Sequence, residues 1–111
     1  MGEYVPADFM REEHLLLQAA EEGIEYALAC LKQARVLMGV SPTPVSYELA
    51  KKNLTEEAAD VLLTMDQLVA INQDKVKEIY GQKMDRWIER LKAQRAKEEA
   101  HGFSFIERKE D

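Results

Sequence analysis

Two pairs of carboxylates stand at helical spacing in this chain, Glu22-x-x-Glu25 and Glu57-x-x-Asp60. Residues three apart on a helix are neighbours, with Cβ atoms about 5–6 Å apart. Each pair lies in a segment that is otherwise largely apolar. If helix packing brings the pairs together they form a dense acidic pocket, and each desolvated carboxylate left unpaired costs on the order of several kcal/mol. A positive partner is required. A hard divalent cation is the simplest one, because Mg²⁺ takes oxygen ligands and keeps positions open for waters and phosphates.

At about 100° per residue, Gln18, Glu22, Glu25 and Ala29 share one stripe of the first helical segment, with Glu21 at its edge. Glu57, Asp60, Thr64, Leu68 and Ile71 share a stripe of the second. A solvated face would continue with charges, whereas this one continues with Thr, Leu and Ile, and Asp66 projects the other way. Single glutamates on helices usually do no more than aid solubility; two pairs on apolar-flanked stripes favour metal. A carboxylate-bridged di-iron site needs two Glu-x-x-His pairs, and the chain has one, Glu98-x-x-His101, in a polar stretch before Gly102. Zinc is disfavoured because clusters of Cys and His are missing. Oxygen-only ligation points to Mg²⁺ or Mn²⁺.

A basic feature complements the acids. Val76, Tyr80, Met84, Trp87, Ile88 and Leu91 form the apolar stripe of the last helical segment, with Lys83 at its edge and Arg86 and Arg90 nearby. A lysine there can simply extend its stem over apolar surface and reach water. Beside a metal site, Lys83 and Arg86 acquire a second role as phosphate ligands.

The elements that must position these groups read as all-α: three long helices and one short one, in a single domain. The residues before Arg11, with Pro6, read as a loose arm or short lead-in. Helical periodicity runs from about Arg11 to Met38, with Leu17, Ile24, Leu28 and Leu31 on one face and Gly39 as a C-cap. Ser41-Pro-Thr-Pro44 reads as a connection. Ser46 caps a short helix through Lys52; Asn53 followed by Glu56 gives a variant capping box for a helix ending near Asn72. Asp74 caps the last helix, whose end, residues 93–100, lacks large apolar side chains and reads as solvated. A tail with Phe103, Phe105 and Ile106 follows Gly102. The apolar face of the first helix is too wide for one small chain to cover, which predicts a dimer or larger assembly.

The 111 residues, 46% of them hydrophobic, suit one globular domain with a modest core. A net charge of −6 argues against duplex nucleic acid as a partner. Cys30 is the sole cysteine, so an internal disulfide is ruled out. No apolar run is long enough for a membrane span, and the cytoplasm is the expected location.

Glu21-Glu22-Gly-Ile-Glu25 followed by Glu57-Ala-Ala-Asp60 resembles the EExxE…ExxD signature of the MazG-like all-α nucleotide pyrophosphohydrolases. The segment from Asn53 to Leu68 resembles the third-helix region of short phage- and Firmicutes-type members, and Lys83-Met-Asp-Arg86 is similar to their downstream basic motif. The resemblance spans residues 12–92, leaving 93–111 as a helix extension and tail. Tyr80-Gly-Gln82 stands where some members carry an Asn before the lysine, and residues 26–56 separate the acidic pairs.

The resemblance implies hydrolysis of a nucleoside triphosphate to the monophosphate and pyrophosphate, with Mg²⁺ held by Glu22, Glu25, Glu57 and Asp60. Glu21 or Glu56 would then hold a second ion or accept a proton from the attacking water, and Lys83 and Arg86 would hold phosphate oxygens. Tyr26, Tyr47 and Trp87 are candidates for stacking on a base, although aromatic residues in small helical proteins are more often core. The rival readings are a non-catalytic helical interaction module and a nucleotide-sensing member of the same fold.

Overall fold

Helix-forming segments bounded by capping residues account for most of the described backbone. The computed structural model describes residues 3–40 and 45–102, and these contain α1 (Glu12–Met38), α2 (Tyr47–Asp66) and α3 (Gln73–Ala100), preceded by a 3₁₀ turn at Pro6–Asp8. No strand occurs among the described residues. The expected connection at 41–44 and the tail at 103–106 lie outside them. The chain divides into two compact units, Met1–Ile71 and Asn72–Asp111.

In the first unit, α1 begins at an extended Arg11 and ends at Gly39, which adopts φ +72°. This left-handed conformation is the one glycine enters without penalty. Val40 N–H reaches back to the Arg35 carbonyl at 3.1 Å and closes the helix end.

The second helix differs from the expected pair. It is one unbroken helix of 20 residues that passes straight through Asn53. Ser46 is its cap, its Oγ accepting from Leu49 N–H at 3.1 Å. Nothing between Lys52 and Asn53 stops a helix, since neither Gly nor Pro is there, so the capping box at Asn53 has no preceding terminus to serve. There is accordingly no separate short α-helix. The helix also ends at Asp66 rather than near Asn72. Beyond it, the amides of Val69 and Ala70 are taken by the two oxygens of Glu12 at 3.3 and 3.2 Å, so they are satisfied by a side chain instead of another helical turn.

α1 and α2 pack against one another. Glu12 grips the segment after α2, and Glu22 meets the middle of α2, so the two run antiparallel. Leu15, Ala29 and Gln33 of α1, Ala50 of α2 and Leu68 are buried. The face of α1 turned inward is therefore the row Leu15, Gln18, Glu22, Ala29 and Gln33, whose members are buried or half-buried. The leucine-rich row expected to need cover is left outside: Leu17 is 64% exposed, Ile24 61%, Leu28 56% and Leu31 50%. The acids line the seam between the two helices, and among the described residues the richer apolar row stays exposed.

The lead-in is built rather than loose. Val5 N–H donates to Asp8 Oδ2 at 2.8 Å, closing the Pro6–Asp8 turn. Tyr4 and Phe9 meet edge to face at 5.5 Å. Ala7 N–H donates to Gln67 Oε1 at 3.2 Å, which ties this turn to the end of α2.

The second unit is α3. Its cap is Asn72, whose Oδ1 accepts from Lys75 N–H at 3.0 Å. Asp74, the expected cap, lies instead in the first turn, where a carboxylate favours the helix dipole. Along its length Lys75–Glu78, Lys92–Glu89 and Arg95–Glu99 pair one turn apart at 3.1, 3.8 and 3.3 Å. Gly102, at φ +82°, follows the helix end as expected.

Candidate metal centre

Each acid is placed by the regular geometry of a long helix. Glu22 lies well inside α1, and Glu57 and Asp60 lie past the midpoint of the unbroken α2, away from fraying ends. Ligand oxygens of Glu22, Glu57 and Asp60 all lie within 4.8 Å of one another. Among the described residues this is the one such group of acids, histidines or cysteines. Two oxygens on opposite sides of a Mg²⁺ ion are about 4 Å apart, given metal–oxygen distances near 2.0–2.1 Å, and those on Ca²⁺ about 5 Å apart. Three carboxylate oxygens within 4.8 Å of one another make an all-oxygen donor set, the kind that hard divalent cations take.

Glu22 and Glu57 are half-buried and Asp60 is exposed at the margin of the seam. The Glu57 carboxyl is held above its ordinary value. Loss of water around it contributes most, followed by the negative charges of Asp60, Glu25, Glu22 and Glu56. Loss of water and neighbouring negative charge both favour the neutral acid. Glu25 is near enough to act on Glu57 but is itself exposed and lies outside the 4.8 Å group. One helical turn beyond Glu22, it stands at the exposed rim of the seam.

Gln18 joins the centre from one turn before Glu22. Its Nε2 donates to Glu22 Oε1 at 2.8 Å and fixes that carboxylate. A cleft of about 190 Å³ opens beside the acids, with Glu22 and Asp60 in its wall. Pro6, Met10, Leu15 and Leu63 make its apolar sides, and Gln18, Thr64 and Gln67 supply polar groups. The sequence placed Gln18 and Thr64 on the acidic stripes. Gln67 and the lead-in carry no local signal, because they meet only through the fold.

The remaining candidates are not members of this group. Glu21 and Glu56 are exposed, each beside a member of the acidic group along its helix. Lys83 and Arg86 are exposed on α3. The aromatic candidates are not core: Tyr26, Tyr47 and Trp87 are all exposed. Tyr26 is tied to Cys30 one turn on; that hydrogen bond, the thiol's charge and some loss of water raise the phenol above its usual value. Tyr47 has Lys51 Nζ over its ring at 5.9 Å. His101, the histidine considered for a di-iron site, has its Nδ1 at 2.8 Å from the Lys97 carbonyl and serves the end of α3.

No helix among the described residues is long and apolar enough to cross a membrane. Comparison with protein-family models, curated proteins and solved structures finds no match to this chain.

Proposed function

We propose that this chain is a divalent-cation-dependent nucleoside triphosphate pyrophosphohydrolase of the MazG-like kind. One observation carries the reading: oxygens from α1 and α2 that are far apart in sequence, those of Glu22, Glu57 and Asp60, converge within 4.8 Å. The resemblance requires this convergence, and the cleft beside it supplies room for a ligand.

Glu22, Glu57 and Asp60, with Glu25 as the resemblance implies, would hold Mg²⁺ or Mn²⁺. The bound ion supplies charge neutralisation for the phosphate oxygens and acidifies water. In the reaction, the oxygen of a water forms a bond to the α-phosphorus. The bond from that phosphorus to the α–β bridging oxygen breaks, and pyrophosphate leaves with the electron pair. The proton lost by the water passes to Glu21 or Glu56, both open to solvent. Lys83 and Arg86 keep the role the resemblance gives them, as ligands of phosphate oxygens. Exposure of Leu17, Ile24, Leu28 and Leu31 supports self-association as a homodimer or homotetramer.

The test is pyrophosphate release from a panel of standard and modified nucleoside triphosphates, with and without Mg²⁺. Metal-dependent release that disappears in Glu57→Gln and Asp60→Asn is the expected result. The same exposed leucine row favours one competing reading, a helical interaction module without turnover. Binding of Mn²⁺ and a nucleotide without pyrophosphate release identifies a sensing variant; absence of both kinds of binding identifies the module.

A further inference from the structure

We propose that the lead-in turn, latched by Gln67, is a working wall of the ligand site and that the cleft behind it seats the ring-bearing end of the triphosphate. This rests on the hydrolase reading above and adds to it which part of the ligand goes where.

At about 190 Å³ the cleft is smaller than the ~300–1,000 Å³ that encloses a whole drug-sized ligand. It suits one part of a nucleotide. The polyphosphate is the wrong part, because four of the lining side chains are apolar and Glu22 and Asp60 repel anions except through a cation. An uncharged heterocycle fits: Pro6, Met10, Leu15 and Leu63 offer flat or flexible apolar contact, and the amides of Gln18 and Gln67 offer hydrogen bonds to a ring edge. Glu22 and Asp60 belong both to this wall and to the acidic group, so a ring in the cleft leaves its phosphates beside the cation site.

Two of those contacts come from the lead-in, and the lead-in is secured by defined bonds. Its turn is closed internally by Val5 and Asp8, and it is tied to α2 by Ala7 N–H and Gln67 Oε1. Gln67 is thus a positioning residue. Its oxygen holds the wall, and its amide nitrogen is on the same side chain that lines the cleft.

The test uses the full chain loaded with Mn²⁺, titrated with each of the four deoxynucleoside triphosphates and with inorganic tripolyphosphate, which has no ring. Gln67→Met removes the latch at similar volume, and Met10→Ala thins the wall without touching the latch. Both variants are expected to weaken the best-bound nucleotide ~10-fold, the loss typical of truncating one well-placed contact. Affinities for Mn²⁺ and tripolyphosphate are expected to stay within about twofold of wild type. Unchanged nucleotide affinity in both variants overturns the proposal, as does parallel weakening of nucleotide and tripolyphosphate. A wild-type chain that binds neither ligand defeats the hydrolase reading itself, a result distinct from a wild type that binds and variants that do not differ.

Discussion

Gln18 and Glu22 are bound to each other one helical turn apart, Nε2 to Oε1 at 2.8 Å, on the face of α1 that meets α2. A neutral amide thereby restrains a carboxylate whose neighbours are also acidic. Groups that orient metal ligands commonly change affinity 10–100-fold when removed. Gln18→Ala is expected to weaken Mn²⁺ binding by about tenfold while leaving the fold intact, as measured by calorimetric titration and circular dichroism. Unaltered Mn²⁺ affinity would show that the amide does not position Glu22 for a metal.

Substitution within the acidic group separates stability from function. Without a cation, Glu57 sits among Asp60, Glu25, Glu22 and Glu56, all of which disfavour its charge. Glu57→Gln removes that repulsion, so the metal-free variant is expected to melt at a higher temperature than wild type. The same variant loses the stabilisation that Mn²⁺ gives the wild type, since binding to the folded state alone raises the melting point. Thermal melts with and without Mn²⁺ read both effects. A lower melting point for the metal-free variant contradicts the assignment of strain to Glu57.

The raised value at Glu57 fixes the sign of a pH effect. A carboxyl that holds its proton more tightly when folded favours the folded state at low pH. That contribution is complete below the unfolded glutamate value, about pH 4, and is lost as pH climbs through the higher folded value. Wild type is therefore expected to lose stability relative to Glu57→Gln over this window, read from urea midpoints at successive pH values in chelator. Metal binding displaces the proton, so Mn²⁺ affinity should climb over the same range. Parallel urea profiles for the two proteins would remove the effect from Glu57.

The unbroken α2 makes a paired prediction. Ser46 accepts the Leu49 amide as the true cap, so Ser46→Ala should lower unfolding free energy by about 1 kcal/mol. Asn53 lies inside the helix, where alanine is the better helix former by up to roughly 0.7 kcal/mol. Asn53→Ala is expected to be neutral or mildly stabilising. A loss at Asn53 equal to that at Ser46 would restore the two-helix reading of this segment.

What the sequence disclosed follows the range of the interactions involved. α1 was legible from end to end because its periodicity, its extended Arg11 and its left-handed Gly39 are local. Helical spacing made the stripe of Glu57 and Asp60 legible, whereas the approach of Glu22 from α1 was a condition that only packing could meet. Glu25 was placed with them by that same spacing, yet the rim position it occupies depends on how two helices cross. The end of α2 was missed because Leu68 and Ile71 continue the helical rhythm, while the amides that end it are claimed by Glu12 from the start of α1. The cap of α3 was placed two residues late, both Asn72 and Asp74 being able to serve. The residues before Arg11 read as a loose arm or a short lead-in, and what decided between these, the bond to Gln67, lies 60 residues away.

Glu12 also has a mechanical consequence. The α1–α2 seam carries mutual repulsion at its centre, yet it is fastened on both sides: by the Glu12 grip on Val69 and Ala70 at one end, and by the small buried side chains of Ala29 and Ala50 toward the other. On the hydrolase reading, a cation held by Glu22, Glu57 and Asp60 would join the two helices, so metal loading is expected to slow amide hydrogen exchange in both.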